Sequence, residues 1–219
     1  MKPAIFLLAA AVLALPSLAL ADLWTVPDNA IVKVDARSGW QSDWTAMSGT
    51  DLTINGYPVH LDAASDSRDR DGGDDVDNGP NISYAAIFNS FGFVAQGVHY
   101  NFSVSGLDPA QRYDVYVFCC DPSYIGTTRI DDVYQITDAG DVPVGTVYKS
   151  TKPVSNDDVH AMLYLPGLSP NADGSLRFYD VGRNYNNTFN GFAVAPVPEP
   201  ATMALLALAA AALLRRRRQ

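Results

Sequence analysis

The chain has 219 residues, with 15 Lys+Arg against 24 Asp+Glu. Lys2, Arg215, Arg216, Arg217 and Arg218 lie at its two ends. Without those five, 10 cations (15 − 5) face 23 aspartates (24 less Glu199), so the body is near −13. A body this acidic excludes a nucleic-acid binder that tracks phosphates, and a single glutamate excludes chemistry on a glutamate pair. Two adjacent cysteines, Cys119 and Cys120, exclude a disulfide-stapled scaffold. The remaining length suits one domain held together by burial alone.

Lys2 precedes an apolar run over 4–15 that Pro16 breaks, and Ala19-Leu20-Ala21 supplies small residues before Asp22. Charged start, apolar middle and A-x-A exit predict a secretory signal peptide over 1–21, removed by signal peptidase. The mature body is expected to span 22–196.

Within the body, short apolar or alternating runs are cut by Gly, Pro, Asn and Asp. Strands are predicted at 30–36, 52–54, 57–61, 82–88, 91–95, 98–104, 113–119, 133–137, 142–147, 159–165, 176–181 and 191–195. Asn55-Gly56, Asp108-Pro109, Asp121-Pro122 and Asp173-Gly174 read as tight turns between them. The run 113–118 alternates only in part, as a strand buried on both faces would. No body segment holds a 3.6-residue apolar period for three turns. Many short strands with frequent turn signals predict an all-β fold, a jelly-roll-like β-sandwich between an N-terminal signal helix and a C-terminal membrane helix.

Trp40 and Trp44 sit in Gly39-Trp40-Gln41-Ser42-Asp43-Trp44, among polar neighbours rather than in a strand alternation. Tyr124 and Tyr185 lie in similarly polar stretches. Exposed aromatic faces stack on the apolar faces of sugars while amides and carboxylates take the hydroxyls, so these four are candidate carbohydrate contacts. The competing reading has the indoles plugging the ends of the sandwich.

From Ser65 to Pro80 the chain is almost wholly polar and carries six aspartates, which predicts a surface loop because buried carboxylates need partners. Asp69, Asp71, Asp75 and Asp77 are candidate Ca²⁺ ligands, since Ca²⁺ takes six to eight oxygens. The spacing is not that of an EF-hand: Ser67 and Asn78 fall at the end positions and no glutamate closes the site. A solvated acidic loop, offset by Arg68 and Arg70, is the alternative. His60, His99 and His160 have no second histidine at metal-ligand spacing, so each is expected on a strand face or turn. One of Cys119 and Cys120 is expected to be buried and the other to lie near a turn. No G-x-S-x-G elbow occurs, and with 23 aspartates an acidic pair is uninformative. The body is expected to be non-catalytic, with no cofactor beyond Ca²⁺.

Ser67-Arg68-Asp69-Arg70, Ser105-Gly106-Leu107 before the 113–118 strand, and Asn190-Gly191-Phe192-Ala193-Val194 resemble a galactose-binding-like or malectin-like jelly roll. That resemblance implies a sandwich over 22–195.

The last 23 residues, 197–219, hold Pro198-Glu199-Pro200, an apolar stretch over 201–214 and four arginines. As a helix the 14-residue stretch spans about 21 Å at 1.5 Å per residue, short of a hydrocarbon core about 30 Å thick. The arginines would stay cytoplasmic and leave the body outside, in agreement with the signal peptide. This tail resembles the PEP-CTERM sorting signal. The resemblance implies recognition by an exosortase of a Gram-negative bacterium that makes extracellular polysaccharide, transient residence in the inner membrane, and transfer to the cell surface or matrix. Two functions are therefore expected in competition: a structural or adhesive matrix protein in a biofilm setting, or a carbohydrate-binding module.

Overall fold

A computed structural model describes residues 26–36, 43–47, 50–69, 90–119, 129–149, 162–183 and 186–198. The expected signal helix, the membrane helix and the strand at 82–88 lie outside them. The described residues are all-β. No helix among them is long and apolar enough to cross a membrane.

Among the described residues, fourteen strands form three sheets. They are β1 (Val32–Asp35), β2 (Thr45–Ala46), β3 (Thr50–Ile54), β4 (Tyr57–Leu61), β5 (Asp66–Asp69), β6 (Ser90–Val94) and β7 (His99–Val104). The second half adds β8 (Tyr113–Phe118), β9 (Arg129–Thr137), β10 (Gly140–Lys149), β11 (Met162–Leu168), β12 (Leu176–Gly182), β13 (Asn187–Phe189) and β14 (Gly191–Pro196). One sheet runs β11-β8-β14-β1-β2, the second β10-β9-β12-β7-β4-β3, and a small third β13-β6-β5.

The two larger sheets bury one core between them. Val115 and Val117 of β8 and Phe192 and Val194 of β14 point into it from one side. Phe102, Val104, Leu176 and Phe178 meet them from the other. Phe102 is fully buried and contacts three rings, Phe178 at 5.2 Å, Phe189 at 4.8 Å and Phe192 at 5.1 Å between centroids. Such pairs add about 0.5–1.5 kcal/mol each beyond area burial.

The five-stranded sheet is covered on its outer face as well. Tyr116 and Phe118, which alternate with the core valines of β8, pack with Met162, Ala193, Ala195 and Val26. That explains why 113–118 does not alternate apolar with polar: both of its faces are dry. The outer face of the six-stranded sheet is wetter, and there His99, Tyr179 and Tyr134 stack across three strands at 4.0 and 4.9 Å.

The predicted turn at Asn55-Gly56 joins β3 to β4, with φ 52° and 89°. A two-residue hairpin of this kind needs φ > 0 at both positions. The expected surface loop at 65–80 is corrected at its start. Asp66–Asp69 pairs antiparallel with β6, Asp66 opposite Phe93 and Asp69 opposite Ser90. β5 lies at the edge of its sheet, where Asp66 stays exposed, so charge does not oppose pairing. Two further strands carry no apolar pattern: β2, a two-residue parallel partner of β1, and β13.

Candidate functional site

Strand directions divide the fold into two ends. β8 finishes at Phe118 with Cys119 just beyond, and β12 finishes at Gly182 beside the start of β7. β1 also finishes here, and β9, β11 and β14 begin here. The opposite end holds the close of β14 at Pro196 and the short turns at 55–56, 105–112, 138–139 and 169–175.

At the Cys119 end the core changes from apolar to polar. On β12 the inward series Leu176 and Phe178 continues into Asp180, and on β9 the residue two before inward Val133 is Asp131. Asp180 faces Val133 across the ladder and Asp131 faces Gly182, so both carboxylates share the inner face. Cys119 continues the inward series of β8 from the facing sheet. Relative exposure is 0% for Asp180, 1% for Asp131 and 0% for Cys119. One ligand atom from each lies within 4.8 Å of the others. Cys119 Sγ donates to Asp180 Oδ2 at 3.5 Å. Asn187 Nδ2 donates to the Asp180 carbonyl and to its Oδ1, both at 2.8 Å. Burial, then the Asp180 and Asp62 carboxylates, hold the nearby Tyr100 phenol far above its ordinary value. A thiol with two carboxylates is a donor set that can hold a divalent transition metal. It is sealed from solvent and cannot admit a polymer.

A second constellation lies on the outer face of the six-stranded sheet. His60 Nδ1 meets Asp51 Oδ1 at 2.9 Å and Nε2 meets Asp62 Oδ1 at 3.1 Å. Asp62 Oδ2 accepts from the Asn101 backbone N–H at 3.0 Å and from its Nδ2 at 2.6 Å. The Asp51 hydrogen bond raises the His60 pKa most, burial opposes it, and Asp62 adds to the rise. Burial alone would raise the Asp62 carboxyl, but the bonds from Asn101 and His60 outweigh it and hold it below its ordinary value. A groove of about 350 Å³ runs past Asp51, Thr53, Pro58, His60 and Ser103. Both ring nitrogens facing carboxylates favour the imidazolium, which donates from each. Sequence spacing treats His60 as isolated. The missed signal is the Asn55-Gly56 turn, since a two-residue turn there sets Asp51 opposite His60.

The aromatic candidates separate. Trp44 is half-buried, edge-on to Phe118 at 5.3 Å and 85°, on the outer cluster of the five-stranded sheet. Trp40, Tyr124 and Tyr185 lie outside the described residues. Each belongs to a segment that leaves from a described residue at the Cys119 end: Ala36 after β1, Cys119 after β8 and Arg183 after β12. Of the proposed Ca²⁺ ligands, Asp69 closes β5, and Asp71, Asp75 and Asp77 lie outside the described residues. His99 opens β7 on the sheet face. Cys119 carries the buried thiol, and Cys120 lies outside. Pro198 is exposed; Glu199, Pro200 and the four arginines lie outside the described residues.

Residues 196–218 match the family model described as the PEP-CTERM protein-sorting motif. The match spans Pro198-Glu199-Pro200 and Arg215 to Arg218, and it marks an exported, membrane-transiting protein that exosortase recognises. No curated protein matches the chain. Among solved structures, a plant receptor-like kinase is similar at 8% identity and TM-score 0.48, over 77% of this chain and 48% of that one. A 4-O-methyl-alpha-glucuronidase with specificity for decorated arabinogalactans is similar at 16% identity and TM-score 0.38, over 62% of this chain and 18% of that one. The chain spans less than half the length of either.

Proposed function

We propose that the body is a non-catalytic, jelly-roll-like β-sandwich delivered to the cell surface or extracellular matrix of a Gram-negative bacterium. There it acts as a structural or adhesive component among extracellular polysaccharide in a biofilm. The 1–21 segment directs export, and 201–214 anchors the chain transiently in the inner membrane until exosortase acts near Pro198-Glu199-Pro200. The observation that carries this reading is the sorting motif at 196–218, which begins on the last residue of the last strand. Mass spectrometry of the released protein should find a chain that begins at Asp22 and ends near Val197–Pro200 in cells with exosortase. Recovery only of chains ending at Gln219 would refute it.

A second reading is a carbohydrate-binding module. It is favoured by the points from which the segments bearing Trp40, Tyr124 and Tyr185 leave, Ala36, Cys119 and Arg183, all of which lie at the Cys119 end. Stacking on indole faces depends on apolar contact, so it should survive added salt and chelator. Retention of the mature body on isolated polysaccharide under both conditions, lost in the Trp40→Ala, Trp44→Ala variant, would establish this reading. Absence of retention for the intact body would leave the structural reading alone.

A further inference from the structure

The body grips its own sorting signal at one fixed point. β14 lies between β8 and β1, the middle of its sheet, and its last residue, Pro196, sits opposite Tyr113. The grip continues one residue further. Val197 N–H donates to the Arg112 carbonyl at 2.9 Å, and the Val197 carbonyl accepts from Gln111 Nε2 at 3.0 Å. Pro198 is the first exposed residue. The apolar stretch starts at Ala201, four residues beyond Val197, a reach of about 14 Å at 3.3–3.6 Å per residue.

A tether this short restricts orientation as well as distance. The end of the body that holds Val197 is also internally tied. Leu107 N–H donates to the Gly174 carbonyl at 2.9 Å. Asp138 N–H donates to Asn171 Oδ1 at 3.1 Å, and Ala172 N–H to Asp138 Oδ2 at 2.9 Å. These bonds join the connections 105–112, 138–139 and 169–175 into one platform around the exit point. The platform carries Asp108, Asp138 and Asp173 against one cation of its own, Arg112, which donates to the Gly167 carbonyl at 2.9 Å, and Arg177 beside it pairs with Asp173 at 3.2 Å. Its carboxylates give it no attraction for anionic lipid, so the tether and not adsorption sets its distance.

We infer that, before processing, the body stands end-on over the bilayer. The platform of 105–112, 138–139 and 169–175 faces the headgroups, and the Cys119 end points away. This rests on the anchoring of 201–214 proposed above. Strands of six residues at about 3.4 Å each put the Cys119 end about 20 Å further out. The end from which the Trp40, Tyr124 and Tyr185 segments leave is then the one presented to the surroundings.

The test uses the chain after signal-peptide removal and before exosortase processing, residues 22–219, reconstituted into lipid vesicles that carry an energy-acceptor dye on their headgroups. A donor fluorophore is introduced as a noncanonical residue either at Ala139, exposed on the platform, or at Val98, 47% exposed at the far end. Vesicle flotation first reports whether the chain is anchored. Energy transfer from position 139 should exceed that from position 98 severalfold. Inserting a Gly/Ser segment of about 20 residues between Val197 and Pro198, with an r.m.s. span of about 25 Å, should bring the two signals together. Equal or reversed transfer from a chain that floats with the vesicles would overturn the end-on orientation. Failure to float would overturn the anchoring itself, and the orientation with it.

Discussion

Gly97 and Gly174 have nearly the same backbone, φ +75° and +74°, but opposite surroundings. A Cβ at Gly97 meets nothing within 4 Å, whereas one at Gly174 falls 2.5 Å from the Leu107 carbonyl oxygen and 3.5 Å from its nitrogen. Replacing either with alanine incurs the left-handed penalty of an L-residue, about 1–2 kcal/mol. At Gly174 the added methyl must also displace backbone, which breaks the Leu107 N–H bond to the Gly174 carbonyl. Leu107 is 4% exposed, so that donor loses its partner out of water, a further cost of about 1–3 kcal/mol. Gly97→Ala is therefore expected to lose about 1–2 kcal/mol, and Gly174→Ala about 2–5 kcal/mol. Urea unfolding of the mature body at constant m-value measures both. Equal losses would refute the argument that close approach at Leu107, rather than φ alone, demands glycine at 174.

Three further outcomes are expected. Because the folded-state pKa of His60 is raised, its contribution to stability is complete below the unfolded value of about 6.5 and is lost as pH rises through the folded value. Its side chain is 42% exposed, so solvent screening limits the effect to about 0.2–1 kcal/mol; a melting-temperature profile across neutral to alkaline pH should lose this component in His60→Asn. Asn187→Ala removes both 2.8 Å bonds to buried Asp180 and should cost about 1–3 kcal/mol in the same urea assay; a loss no larger than that of an exposed asparagine would count against the buried network. If Asp69, Asp71, Asp75 and Asp77 bind Ca²⁺, saturation at a hundred times the dissociation constant adds about 2.7 kcal/mol, and an unchanged melting temperature between millimolar Ca²⁺ and chelator would favour the solvated loop.

The sequence by itself determined whatever is written contiguously. Pro198-Glu199-Pro200, the apolar stretch and the arginines are read by a partner as a linear string, so no fold is needed to recognise them. The strand at 57–61 and the Asn55-Gly56 turn were likewise legible, because alternation and positive φ are local demands on the chain. That turn also carried the Asp51–His60 pair, once its two-residue register is counted across the hairpin. β5 and β13 were hidden because their pairing with β6 rests on backbone hydrogen bonds that any side-chain pattern permits. Only the tertiary structure singled out Asp131 and Asp180 among 23 aspartates. They lie 49 positions apart along the chain (180 − 131), and their meeting with Cys119 depends on the β9–β12 register and on the facing sheet. The same holds for the two ends of the body. Strand direction follows from the order of pairing in the sheets, a long-range choice set by burial on both faces of β8 and β14, and it places Val197 at one end and Cys119 at the other.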